Sequence, residues 1–335
     1  MASLAVVFYH FGNVLDAGVI RSASEYGKFG VQVFFVISGF VICYSLSRAN
    51  YEIRSYFTFI LKRLARLDPP YLATIGIILL LGSLSRIVPL GNNGEFHASF
   101  LQVLLHLGYL NSFSHYLWLN DVFWTLGIEF QFYILIGLAY PVFFSRNLAV
   151  RILGIVGLAV LHFTIHSQDY VFDFIFLFVL GIVVCQYKTG LIGKAHCAIL
   201  LVLMTLVTLY ANGIPSLLAG EFAVISILFL NFRNTIFTFL GNISYSLYLL
   251  HSPIGRRALN VAMKITQAQS QASKVAVILF AVGVSIVAAY IFYLLVEKPA
   301  RDWSARIQYP GRRKRELRRE TEEAAPIAPA LEAAN

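Results

Sequence analysis

Gly30-Val31-Gln32-Val33-Phe34-Phe35-Val36-Ile37-Ser38-Gly39-Phe40-Val41-Ile42 carries no charged side chain. With its flanks it forms an apolar stretch over 29–47. At 1.5 Å per residue, a helix of that length crosses the roughly 30 Å hydrocarbon core of a bilayer. Similar stretches recur at about 2–20, 70–90, 122–144, 147–166, 170–187, 195–212, 217–232, 236–255 and 274–297. The expected fold is an all-α integral membrane bundle of about ten transmembrane helices. Composition points the same way. Of 335 residues, 58 % are hydrophobic and 13 % charged, and the mean hydropathy is +0.72, outside the range of ordinary soluble domains.

A net charge of +9 could indicate a nucleic-acid binder. The basic residues, however, fall in short runs between apolar stretches and in the tail, which is a topology pattern, so no nucleic-acid partner is expected. Arg48, Arg54, Lys62, Arg63 and Arg66 follow the second span, whereas 91–121 contains neither Lys nor Arg. By the positive-inside rule the first connection is cytoplasmic, and alternation then places Arg146, Lys188, Lys194, Arg233 and Arg312-Arg313-Lys314-Arg315 inside as well. The loop holding Arg256, Arg257 and Lys264 falls outside and breaks the pattern.

Cys43, Cys185 and Cys197 stand far apart, with no CxxC spacing, and read as small core hydrophobes. His97, His106 and His115 are nine residues apart without an accompanying ligand set. That fits an interfacial or re-entrant segment better than a zinc site, and no metal is expected. Residues 1–303 form one transmembrane domain, and 304–335, charged and then rich in Ala, Pro and Glu, read as a disordered cytoplasmic tail. The first apolar run lacks the basic region and cleavage site of a signal peptide and reads as a retained span. It also lacks a basic anchor, which suggests missing residues upstream of Met1.

Polar side chains inside these spans need partners or a wet cavity, and are functional candidates by default. His10, in Leu4-Ala5-Val6-Val7-Phe8-Tyr9-His10-Phe11, is the first; its alternative is a headgroup-level cap on the span. Small Ser38 and Gly39 would let another helix, or an acyl chain, approach the backbone closely. Arg63 and Arg66 lie one helical turn apart before Pro69-Pro70, so both guanidiniums can face one phosphate-like anion. Attraction to anionic lipid would explain their charge but not their spacing. Glu129, in Phe123-Trp124-Thr125-Leu126-Gly127-Ile128-Glu129-Phe130-Gln131-Phe132-Tyr133, should face the bundle interior and pair with a cation or another polar group. Near His10 it would orient that ring; otherwise it pairs structurally. Ser244, Tyr248 and His251 recur at spacings of four and three, a polar stripe suited to lining a cavity. Glu297-Lys298-Pro299-Ala300-Arg301 closes the last span as a charged marker of the inner surface.

In this order the stretches resemble the acyltransferase 3 family of multi-spanning membrane acyltransferases. The matching pieces are the helix ending in Tyr9-His10, the Gln32 to Phe40 segment with Ser38-Gly39, Arg63/Arg66 before Pro-Pro-Tyr, Trp124 to Tyr133 with Glu129, Ile243 to His251 with Ser244, Tyr245 and Tyr248, and Glu297-Lys-Pro. They cover nearly the whole chain from Met1 to about Trp303. The resemblance implies an enzyme of the bacterial inner membrane, multi-pass with a cytoplasmic C-terminus. It would move an acyl group, most often acetyl, from cytoplasmic acyl-CoA to a hydroxyl of an envelope or exported polysaccharide or lipid-linked sugar. It makes His10 the expected catalytic residue and the Arg63/Arg66 cluster the seat of the donor's phosphates; Glu129 is the second catalytic candidate, on the condition that it lies near His10. Ser38, Tyr133, Ser244, Tyr245, Tyr248 and His251 would line the acceptor cavity. The family usually has a basic residue eleven positions before the histidine, an acid where Gln32 stands and a serine where Thr125 stands.

Acyl transfer to a sugar hydroxyl needs a base for the hydroxyl proton and donors for the oxyanion. Neutral His10 could be that base, or could itself accept the acyl group in a two-step route. The competing class is a transporter or flippase of a glycan intermediate or small acid, in which His10, Glu129 and His251 would relay protons.

Overall fold

A bilayer core offers no water to backbone N–H and C=O groups, so so apolar a chain has to close its hydrogen bonds within each segment. The computed structural model follows that rule. It is helical, with no strand, across the described residues 1–87, 98–230 and 234–310. His97, Arg233 and most of the expected tail, including Arg312 to Arg315, lie outside the described residues. Ser304 and Tyr309, expected as tail, are packed. Lys62 Nζ donates to the Ser304 carbonyl at 2.9 Å, Ser304 Oγ returns a bond of 2.7 Å to the Lys62 carbonyl, and the Tyr309 ring meets Tyr51.

Among the described residues six helices are long and apolar enough to cross a membrane: Val19–Arg48, Ile53–Leu84, Phe123–Phe143, Val171–Lys188, Lys194–Phe229 and Gln271–Arg306. Ala2–Val14 and Leu148–Thr164 are apolar but shorter. The ten separate spans expected from hydropathy are therefore not all found as separate crossings, for local reasons. The expected spans 195–212 and 217–232 are the two halves of Lys194–Phe229, which breaks at Gly213, between them as expected; its φ of 75° and ψ of 172° only glycine adopts readily. Thr205 Oγ1 donates to Glu221 Oε1 across that break, which folds the two halves back on each other. The expected span 236–255 is divided into Thr235–Asn242, Ser244–Leu250 and a wider turn, His251–Arg256. Pro69 and Pro70, expected to open the third span, sit inside the Tyr56–Ile87 helix, so Arg63 and Arg66 are helical residues rather than loop residues.

The bundle is built around the Ile175–Lys188 helix, in which every residue from Ile175 to Gln186 is buried. A helix apolar on all sides can face lipid or other helices, and its burial here makes it the central one. It packs most extensively on Gly30–Arg48. That crossing is a backbone contact: a Cβ on Gly39 would lie 2.1 Å from the Phe178 carbonyl oxygen, and one on Gly181 2.1 Å from that of Val36. The close approach that Gly39 permits is thus used, by a helix. Phe178 stacks on Phe132 at 4.1 Å and tilts against Phe35 at 4.9 Å, which ties Phe123–Phe143 to the same centre. Outward-facing Phe57, Phe100, Leu153, Tyr210, Phe229 and Leu295 leave a wide apolar surface that water would not tolerate and lipid would.

Gly39→Ala should destabilise the protein by about 1–3 kcal/mol, the usual cost of overpacking, because the clash is with backbone. Gly76→Ala, with open space around the new methyl, should be neutral or slightly stabilising. Thermal unfolding of the two variants in detergent checks the pair.

Candidate active site

The site begins with a missing hydrogen. Pro253 has no N–H, so the Leu249 carbonyl one turn earlier loses its helical partner. Asn120 Nδ2 supplies a replacement at 3.1 Å. From His251 to Arg256 the chain winds more widely, with i→i+5 bonding. In an α-helix, residues five apart point about 140° away from each other; the wider turn brings them toward one face, a device found often at functional sites. His251 and Arg256 are five apart, and both meet His10.

Arg256 Nη2 donates to His10 Nδ1 at 2.9 Å, and Arg256 Nη1 donates to Asp121 Oδ2 at 2.7 Å. The His10 and His251 ring centroids are 5.1 Å apart, and the Phe11 ring lies 6.4 Å from that of His251. His251 is fully buried; its Nδ1 bonds the Tyr248 carbonyl at 2.8 Å and the Leu247 carbonyl at 3.2 Å, while its Nε2 is buried without a partner. The Arg256 and Asp121 side chains are 35 % and 55 % exposed. An ion pair that open is worth about 0–1 kcal/mol to stability, so its consequence is the direction in which it holds the guanidinium.

A cavity of about 290 Å³ lies beside this centre. Ser38, Arg63, Arg66, Thr125, Glu129, Tyr133, Ser244, Tyr245, Tyr248 and Glu297 all contribute to its wall. Ser38 Oγ donates to Glu129 Oε1 at 2.9 Å, and Tyr133 OH donates to the same oxygen. Arg63 is held over the Phe59 and Tyr133 rings at 5.5 and 5.9 Å, and its Nε is buried without a hydrogen-bond partner. Tyr245 OH donates to the Leu67 carbonyl at 3.0 Å. Tyr248 joins the two regions: its hydroxyl is 2.7 Å from Thr125 Oγ1 in the cavity wall, and its ring is 6.0 Å from that of His251.

Two groups of expected residues are thus assembled. His10 and His251 form one; Ser38, Arg63, Arg66, Glu129, Tyr133, Ser244, Tyr245 and Tyr248 form the other. Glu129 does not orient His10. Its partners are Ser38 and Tyr133, and the carboxylate linked to His10 is Asp121, acting through Arg256. Asp121, Asn120 and Arg256 escaped the sequence reading, although Arg256 had signalled itself as a cation on the side where the charge rule allows few. Glu297 is not a surface marker: it is buried in the cavity wall, accepting from Ser246 N at 3.1 Å and from Ser246 Oγ. His106 is structural, taking the Leu119 N–H on Nε2 at 3.0 Å while Nδ1 bonds the Gln102 carbonyl. Among the described residues no cluster of three His, Cys, Asp or Glu side chains could hold a metal ion.

Fold and site define an integral membrane protein with a histidine centre set against an arginine-walled polar cavity. The chain belongs to the acyltransferase 3 family, whose sequence model, described as an acyltransferase domain, matches residues 1–295. It is accordingly a membrane acyltransferase. No curated protein and no solved structure matches it significantly.

Arg256→Met, which removes the donor to His10, should cut acyl transfer at least ten-fold, and Arg256→Lys, which restores a donor, should recover part of it. Transfer rates of both variants at equal folded concentration are the check; equal loss in both would leave only a packing role for the guanidinium.

Proposed function

We propose that the protein transfers an acyl group, acetyl foremost, from cytoplasmic acyl-CoA to a hydroxyl of an envelope or exported polysaccharide or lipid-linked sugar. The carrying observation is Arg63. A guanidinium held against two rings, with a buried Nε that no hydrogen bond satisfies, has donor capacity left for an anionic ligand. With Arg66 one turn further along the cavity wall, it provides the paired cations that the donor's phosphates need. At about 290 Å³ the cavity is at the small end of ligand pockets, the size of an acylated thiol arm rather than a whole nucleotide.

His10 is the catalytic residue at the reacting carbonyl. Glu129, already engaged by Ser38 and Tyr133, holds a polar wall for the substrate, together with Ser244, Tyr245 and Tyr248. The enzyme works in the plasma membrane, with Arg63, Arg66 and the C-terminus on the cytoplasmic side; Arg256, neutralised by Asp121, carries little weight as a topological signal there.

Release of free CoA from acetyl-CoA by the purified full chain, dependent on envelope glycan from cells lacking the gene, tests the reading. A carrier would release none. Replacing Arg63 and Arg66 together with Gln should raise the KM for acetyl-CoA by at least about a hundred-fold, from the loss of two charge-assisted bonds worth roughly 1.5–3 kcal/mol each, with a smaller change in kcat. An unchanged KM would remove the donor site from these residues.

A further inference from the structure

The two histidines differ in what their partners allow. A guanidinium has donors only, so the bond from Arg256 Nη2 obliges His10 Nδ1 to be the acceptor, and the proton of a neutral His10 ring then sits on Nε2. A carbonyl oxygen accepts only, so the contacts of His251 Nδ1 with the Tyr248 and Leu247 carbonyls oblige that nitrogen to carry its proton. The Nε2 of His251 is left as a bare lone pair, buried and without a partner. Such an atom costs free energy to keep dry and unpaired, and here it belongs to a ring 5.1 Å from His10.

We infer that the centre divides its work: His251 is the general base, and His10 is the hydrogen-bond donor, fixed in that form by Arg256 and Asp121 as positioning residues. The inference rests on the acyltransferase reading above. In the step it describes, the acceptor hydroxyl parts the two rings and gives its proton to His251 Nε2 as its oxygen attacks the thioester carbonyl carbon. The Nε2–H of His10 donates to the carbonyl oxygen as negative charge builds there. Collapse reforms the carbonyl and breaks the C–S bond, and the thiolate leaves with the proton held by His251. The products are the ester and CoA–SH, with both rings returned to their starting forms. Because Arg256 occupies one ring nitrogen of His10 and a proton the other, His10 has no lone pair for an acyl group, and transfer is direct.

The first arm of the test reads tautomers rather than turnover. Two-bond ¹H–¹⁵N correlation on full-length protein labelled at histidine nitrogens, with His10→Gln and His251→Asn used for assignment, separates protonated from bare ring nitrogens. The expected pattern is bare Nδ1 and protonated Nε2 in His10, and the reverse in His251; either ring in the opposite form overturns the assignment. The second arm uses His251→Asn, whose amide keeps a donor for the Tyr248 and Leu247 carbonyls but has no lone pair in the place of Nε2. With acetyl-CoA and envelope glycan it should lower kcat by about 10²–10⁴-fold, leave the KM for acetyl-CoA within two-fold, and abolish the acid limb of the kcat/KM pH profile. Wild-type kcat and an intact acid limb in this variant would overturn the base role while the acyltransferase reading stood. If wild-type protein released no CoA, that reading would fail and take the base role with it. Trapping of an acyl group on His10 would likewise contradict the direct route.

Discussion

A guanidinium can give hydrogen bonds and cannot take them, and the arrangement of this membrane enzyme's centre follows from that asymmetry. Arg256 reaches His10 because Pro253 denies Leu249 its helical bond and the following turn widens. Asn120 occupies the freed carbonyl, which brings the next residue, Asp121, against the other side of the same guanidinium. The stability at stake is small, since the pair is half open to its surroundings. What the arrangement controls is which atoms of a ring carry protons.

The cavity answers a different requirement. It gathers Arg63, Arg66, Glu129 and Glu297 around one cavity inside an apolar bundle, where charges are costly unless something compensates them. Glu129 is compensated by two hydroxyls and Glu297 by Ser246, while Arg63 has aromatic faces and an unsatisfied Nε. Tyr248, shared by the cavity wall and the histidine centre, is the structural link between the place where a donor would bind and the place where its acyl group would react.

Helicity and membrane residence were legible in the apolar stretches, and His10, Glu129, Arg63 and Arg66 stood out because polar groups are rare in such surroundings. Their grouping was harder to read. Hydropathy averages over a window, so it does not register the broken winding at Pro253, and the reading of that span suffered for it. Pairings between residues as distant in sequence as His10, Asp121 and Arg256 have no periodicity to betray them. Glu297 looked like a surface charge because a Lys and an Arg follow it; Ser246, far away in the chain, turns it inward. The one usable trace was Arg256, a cation that broke the charge rule because it serves the site.

The central claim is that the His10 centre transfers acyl groups to a cell-surface hydroxyl. The most direct measurement is the O-acyl content, by mass spectrometry, of surface polysaccharide and lipid-linked glycans from cells carrying the wild-type gene, no gene, or His10→Ala at equal membrane abundance. The account predicts that one acyl ester present with the wild-type gene disappears in both other strains. Identical glycans in all three would contradict it.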